Sequence, residues 1–370
     1  MDREIKSLTA LRGIAAAGVL AFHVGAPIPG YLCVDLFFML SGFVLMHAYS
    51  EHFARSVSGA AYWRFLRARL ARIYPVHILT ILLLLPLFGS DPSFSLGALI
   101  HNLLLTQGPW LSEASWNYGA WSISAEWHAY LIFPFAVAAL AARSRAATIA
   151  IGALNLVAVT AAVTIHGSSN IATTPAVLLR CLPEFVLGMA VYRAYQEGWI
   201  AGALASDRFC AGATVAIVAF AVVGGWIADT GIRWTLPLVL VACAMNRGLT
   251  SRFLNTWPLQ YLGRISYSLY MVQMVSQFLL LELFPDIGAM AHGAAFIVLS
   301  VSLAIPISHL VEYPARDWLR GGKSADGAAT AVGMLTLAAR FRRSGAMYRN
   351  HGSDRDSPLE VNIGPGVSAT

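Results

Sequence analysis

Ten stretches of predominantly apolar residues dominate the sequence, near 8–26, 33–49, 73–89, 119–141, 146–166, 175–194, 210–227, 232–246, 259–284 and 289–312. A helix crossing the hydrocarbon core needs roughly 17–25 such residues, because no water in the bilayer can satisfy an exposed backbone N–H or C=O. The expected fold is therefore all-α, a polytopic transmembrane helical bundle of about ten spans. Of the 370 residues, 57% are hydrophobic and 12% charged, with a mean hydropathy of +0.63. Soluble domains carry about a quarter charged residues. An ordinary soluble enzyme, a disordered chain, a basic nucleic-acid binder and a disulfide-stapled module are all excluded. The four cysteines, Cys33, Cys181, Cys210 and Cys243, have no metal-ligand spacing and are expected to be small buried apolar residues. No metal is expected.

Basic residues set the expected orientation. With the N-terminus in the cytoplasm and ten alternating spans, eighteen of the 25 Lys and Arg fall in cytoplasmic segments and only Arg180 and Arg233 outside. The other five lie beyond the last span, so both termini are expected in the cytoplasm. The stretch 94–106 is apolar but short and suits a re-entrant or interfacial piece; counting it as a span would invert everything after it. Arg3 and Lys6 precede the first apolar stretch as in a signal peptide, but Arg12 interrupts it and more apolar sequence follows, so it reads as a first span. Residues 1–319 form the expected membrane domain. The Gly-, Ala-, Ser- and charge-rich residues 320–370 are expected to be a flexible cytoplasmic tail. No internal repeat is visible.

Ionisable groups inside spans are costly and by default mark a pathway or a site. Arg12 and His23 are eleven residues apart, so both project from one helix face, about 16 Å apart along the axis. A snorkelling anchor and a core histidine are the plain alternatives. An imidazole away from bulk water is also the side chain best suited to accept a proton near neutrality. Asp35 opens the next span, and antiparallel packing could bring it to His23 as an orienting carboxylate; an N-terminal carboxylate in the helix dipole is the alternative. The loop R-F-L-R-A-R-L-A-R carries Arg64, Arg67, Arg69 and Arg72. It reads either as a topology signal or as a phosphate-binding set, with Trp63 available to stack a purine. Ser122, Glu126 and Tyr130 share a face at spacing four, and Glu126 either lines a polar cavity or pairs with a buried arginine such as Arg180. Ser266, Tyr270 and Gln273 form a similar stripe. Glu312 and Arg316, also four apart, are expected to pair.

Together these features resemble the acyltransferase 3 family of polytopic membrane O-acyltransferases. The resemblance rests on Arg12 and His23; on Phe37-Phe38-Met39-Leu40-Ser41-Gly42-Phe43; on Arg69, Arg72, Ile73 and Pro75; and on Trp121 to Glu126. It runs to about residue 319. It implies a ten-helix fold, a cytoplasmic acyl-CoA donor, a proton-abstracting histidine and a binding role for the arginine signature. The expected activity is transfer of an acyl group, acetyl first, from acyl-CoA to a hydroxyl of a glycan or related acceptor, in the bacterial inner membrane. His23, Asp35 and Arg12 are the expected catalytic set. Arg67, Arg69 and Arg72 would hold the CoA phosphates, and Ser122, Glu126 and Tyr130 would line the acceptor's approach. Direct transfer and a covalent relay both fit these residues. Where many relatives carry a histidine this chain has Gln273, and no esterase-like domain follows the membrane part. The competing class is a transporter or flippase for a lipid-linked or small hydrophobic substrate, whose proton relay could use the same buried charges.

Overall fold

A computed structural model describes residues 4–319, with 168–169, 201, 246–247 and 287 left aside; the expected tail, 320–370, lies outside the described residues. Among these residues every regular element is helical. Three long helices come first, α1 (Lys6–His23), α2 (Leu32–Phe53) and α3 (Gly59–Leu84). The short α4 (Leu96–Leu103) and α5 (Gln107–Trp110) lead to α6 (Trp121–Ala141), α7 (Arg145–His166) and α8 (Ala176–Gln196). Then come α9 (Asp207–Val223), α10 (Gly225–Met245), α11 (Gly248–Leu254) and α12 (Trp257–Met271). The last helices are α13 (Gln273–Leu283), α14 (Ala289–Ile307) and α15 (Tyr313–Leu319), with a π turn (Ser308–Glu312) between α14 and α15.

Among the described residues, six helical segments are long and apolar enough to cross a membrane: Leu32–Phe53, Gly59–Leu87, Tyr118–Ala141, Arg145–His166, Gly225–Met245 and Ala289–Leu319. The chain is read accordingly as a multi-pass membrane protein. The other four expected spans are helical but fall short for identifiable reasons. Lys6, Arg12 and His23 lower the apolarity of α1, and α8 carries Arg180, Glu184 and Arg193. The α9 helix has 17 residues, and the stretch 259–284 is broken at Val272 into α12 and α13. The stretch 94–106 holds the eight-residue α4, too short to cross. Cys181 and Cys243 are buried as expected, whereas Cys33 and Cys210 are only half-buried.

Two helix pairs approach backbone to backbone. Gly13 of α1 faces Gly263 of α12, where a Cβ on Gly13 would stand 2.6 Å from the Gly263 nitrogen. Gly42 of α2 and Gly188 of α8 form the second pair, and a Cβ on Gly188 would lie 2.8 Å from the Met39 carbonyl carbon. In a bilayer, where hydrophobic exclusion does little to hold helices together, such close approach is a main source of association. Gly188→Val should therefore destabilise the fold by about 1–3 kcal/mol through overpacking, read as a lower melting temperature in detergent. Gly212→Ala on α9, with nothing within 4 Å of its Cβ, should leave that temperature unchanged or raise it. The α2–α8 contact also sets the rotation of α2. Positions 35, 39 and 42 share the stripe toward α8, and the adjoining face of α2 carries 34, 37, 38 and 41.

Candidate active site

That second face of α2, with α1, α3, α6 and α12, encloses a cavity of about 130 Å³. Its polar wall takes Arg12 from α1, Ser41 from α2, and Arg69 and Arg72 from α3. Ser122, Glu126 and Tyr130 come from α6, and Ser266, Tyr267 and Tyr270 from α12. Helical periodicity selects these residues: 69 and 72 are three apart, and 122, 126 and 130 are four apart. Tyr130 of α6 shares this wall with Glu126 and with Ser41 of α2.

The three guanidinium groups are held differently. Arg72 forms an ion pair with Glu312 and lies 5.2 Å over the Tyr267 ring. Glu312 also accepts the Ser268 hydroxyl at 2.6 Å. Arg69 donates to the Tyr49 hydroxyl at 3.2 Å and sits 5.4 and 5.7 Å from the Tyr49 and Phe65 ring centres. Its Nε is buried and has no hydrogen-bond partner among the described residues. The opposite charge facing Arg12 most strongly is Glu126. A buried donor without a partner is rare in folded proteins, and here it belongs to the residue type that best matches phosphate. The wall thus gathers three guanidinium groups, of which Arg69 keeps an unpartnered buried N–H.

His23 is not part of that wall. It is exposed in the last turn of α1, and its Nδ1 hydrogen-bonds to Oε1 of the buried Gln273, the first residue of α13. The Gln273 Nε2 donates to the Leu269 carbonyl at 3.4 Å, which fixes the end of the amide that faces the ring. An amide oxygen only accepts, so Nδ1 carries the hydrogen and Nε2 keeps its lone pair. The cavity stops at Tyr270, about one helical turn before Gln273. The Tyr270 hydroxyl is 2.8 Å from Ser122 Oγ and donates to the Gly119 carbonyl at 2.9 Å. Its ring meets Phe37 edge-on, centroids 6.1 Å apart. Because α1 is unbroken from Lys6 to His23, it carries both Arg12 in the cavity lining and His23 outside it.

Residues 5–309 match the profile of a family described as an acyltransferase domain. The chain belongs to the acyltransferase 3 family. It is 36% identical over 157 residues to acyltransferase MdmB of Streptomyces mycarofaciens, a match covering 35% of this chain and 38% of that protein. Protein 2 in the picA locus of Rhizobium radiobacter is 40% identical over 86 residues, 22% of this chain and 44% of that protein. The chain thus spans less than half the length of the curated relatives it matches. No solved structure matches it.

In this acyltransferase 3 chain the F-F-x-L-S-G-F signature divides its work. Phe37, Phe38 and Ser41 line the cavity, while Gly42 lets α8 approach. Several expected placements are corrected. Asp35 does not orient His23, because it lies on the α8 stripe of α2. There it is fully buried and accepts from Nε and Nη2 of Arg180 at 2.7 Å each. Gln273 occupies the place beside the imidazole. Glu126 lines the cavity and Arg180 goes to Asp35. Arg67 is exposed and absent from the wall, being two residues and some 200° from Arg69, on the side of α3 that also exposes Trp63. Ser122, Glu126 and Tyr130 line the same cavity as the arginines. Glu312 reaches Arg72, and Arg316 contacts Asp317 at 3.4 Å; Glu312 ends the π turn between α14 and α15, and its carboxylate is taken by α3 and by Ser268. Tyr49, Asn117 and Glu312 shape the site although sequence reasoning gave them no part in it. Asn117 donates to the carbonyl of Met271, where α12 ends, at 2.8 Å. A lone polar residue just before W-S-I-S was its one visible sign.

Proposed function

We propose that this chain is a membrane O-acyltransferase that moves an acyl group, acetyl first, from cytoplasmic acyl-CoA to a hydroxyl of a glycan or related acceptor. The observation that carries this reading is the anion-suited cavity of Arg12, Arg69 and Arg72, which ends one helical turn short of the residue holding His23. CoA phosphates bind at the arginine end. The pantetheine arm, on the order of 15–20 Å long, matches the Arg12–His23 separation along α1. The thioester then reaches His23 once Tyr270 and Phe37 part.

His23 Nε2 takes the proton of the acceptor hydroxyl while Nδ1–H stays bonded to Gln273. The hydroxyl oxygen attacks the thioester carbonyl carbon, the carbon–sulfur bond breaks, and the departing thiolate takes the proton from the imidazolium. No redox step or co-reactant is needed. Gln273 holds the tautomer in the role first given to Asp35. In this reading both termini face the cytoplasm and the ten helical stretches act as spans, which puts the arginine end on the donor's side.

The test is donor dependence in membranes given radiolabelled acetyl-CoA. Arg69→Ala with Arg72→Ala should raise the donor KM at least tenfold, since each charge-assisted contact contributes about 1.5–3 kcal/mol, and should change kcat less. An unchanged donor KM overturns the assignment of that end of the cavity.

A further inference from the structure

Trp63 lies on the far side of α3 from the cavity, so it is badly placed to hold the nucleotide of a donor threaded past Arg72. A different aromatic surface adjoins Arg72. Trp257 and Tyr261 of α12 stack at 5.2 Å and 11°, and Tyr261 stacks on His309 of the π turn at 6.1 Å and 22°. The Tyr261 hydroxyl and His309 Nε2 are 3.2 Å apart. Tyr313 closes the row, perpendicular to His309 with centroids 5.4 Å apart. The π turn makes this ledge, sending Glu312 inward to Arg72 and leaving His309 exposed.

Cations edge the ledge where it meets the cavity. The Arg316 guanidinium sits 5.1 Å over Tyr313, with Asp317 at its Nε, and Arg264 on α12 is exposed. Tyr313 lies within electrostatic reach of Arg72, Arg316 and Arg264, and Arg12 within reach of Tyr313. Glu312, which pairs with Arg72, immediately precedes Tyr313, so the ledge borders the arginine end of the cavity. Fused aromatic bases stack on such rows with little regard to sequence, and arginines beside them select phosphate.

Resting on the acyl-CoA reading above, we propose that this ledge is the subsite for the 3′-phosphorylated adenosine half of the donor. The purine packs against the exposed end of the row, beside His309 and Tyr313. Arg264 and Arg316 hold the ribose 3′-phosphate, and Arg69 and Arg72 keep the diphosphate.

The test is equilibrium binding of CoA and of 3′-dephospho-CoA to the full chain in nanodiscs, which needs no acceptor. The wild type should bind CoA about tenfold or more tightly than dephospho-CoA, the scale of a charge-assisted contact. Arg264→Gln with Arg316→Gln should bind both ligands alike, at the wild-type dephospho-CoA affinity, which also shows the variant is folded. If the double variant is not recovered, Arg264→Gln alone should lose part of the discrimination. Equal binding of the two ligands by the wild type, or discrimination intact in the variants, overturns the subsite. An equal loss for both ligands in the variants also overturns it and makes these arginines anchors for lipid phosphate. Wild type that binds neither ligand removes the CoA reading itself, an outcome distinct from all of these.

Discussion

Replacing His23 with glutamine should lower acyl transfer by about 10²–10⁴-fold, the range of a positioned general base, while leaving the donor KM within about threefold. The split follows from position: the arginines proposed to hold the donor line the cavity, and His23 lies outside its lining, beyond Tyr270. Radiolabel transfer from acetyl-CoA in membranes, fitted for kcat and KM separately, measures both. Gln273→Leu removes the acceptor that keeps the hydrogen on Nδ1. It should lower kcat less than His23→Gln does, again with KM held, and Gln273→Asn should not rescue it, because its amide is one methylene short of the ring. Undiminished transfer in His23→Gln sinks the base assignment. A drop in kcat for His23→Gln with none for Gln273→Leu keeps the base and removes the positioning role.

What the sequence made legible follows from periodicity. Long apolar runs reported helices, and spacings of three and four reported which residues share a face. Arg69 with Arg72, and Ser122 with Glu126 and Tyr130, therefore came together as their spacing implied. The rotation of one helix against another was not legible. Asp35 and Ser41 belong to one helix, yet the Gly42–Gly188 approach turns the first toward α8 and leaves the second in the cavity. Breaks in helical register were equally hidden. Val272 separates α12 from α13 and sets the position of Gln273, and the π turn after Pro306 redirects Glu312. Neither leaves a strong local signal, since the stretches around Val272 and the π turn remain apolar enough to read as one continuous helix. The expected partners of Asp35 and Glu312 were chosen by proximity along the sequence or between chain ends, and each was displaced by a contact across helices, whereas Glu126 lines the cavity as one of its two readings had it.

Asp35→Ala should be among the most destabilising single substitutions in the chain, at about 3–5 kcal/mol, because it leaves the Arg180 guanidinium buried without its carboxylate. Both side chains are fully buried, and Arg180 also donates to the carbonyls of Tyr31 at 2.9 Å and Ile171 at 3.2 Å. A second pair sits against them: Arg233 Nε donates to Glu184 at 3.0 Å, and Arg233 Nη2 is 3.6 Å from Asp35. Tyr31 hydrogen-bonds to Asp229 and adds the loop between α1 and α2 to the cluster. The network thus joins α2, α8 and α10 beside the cavity without opening into it. Asp35→Leu with Arg180→Leu removes both charges together and should recover much of the loss, since a buried ion pair is strongly destabilising when half is removed and near neutral when replaced whole. Melting in detergent, followed by loss of the monodisperse size-exclusion peak, gives the stabilities. The same variants separate structural support from chemistry. If Asp35 acted on His23, Asp35→Asn would lower kcat with the melting temperature held. On the proposed mechanism the reverse is expected: a lower melting temperature, with kcat per folded molecule close to that of the wild type, because the His23 ring is held by Gln273 on a different helix.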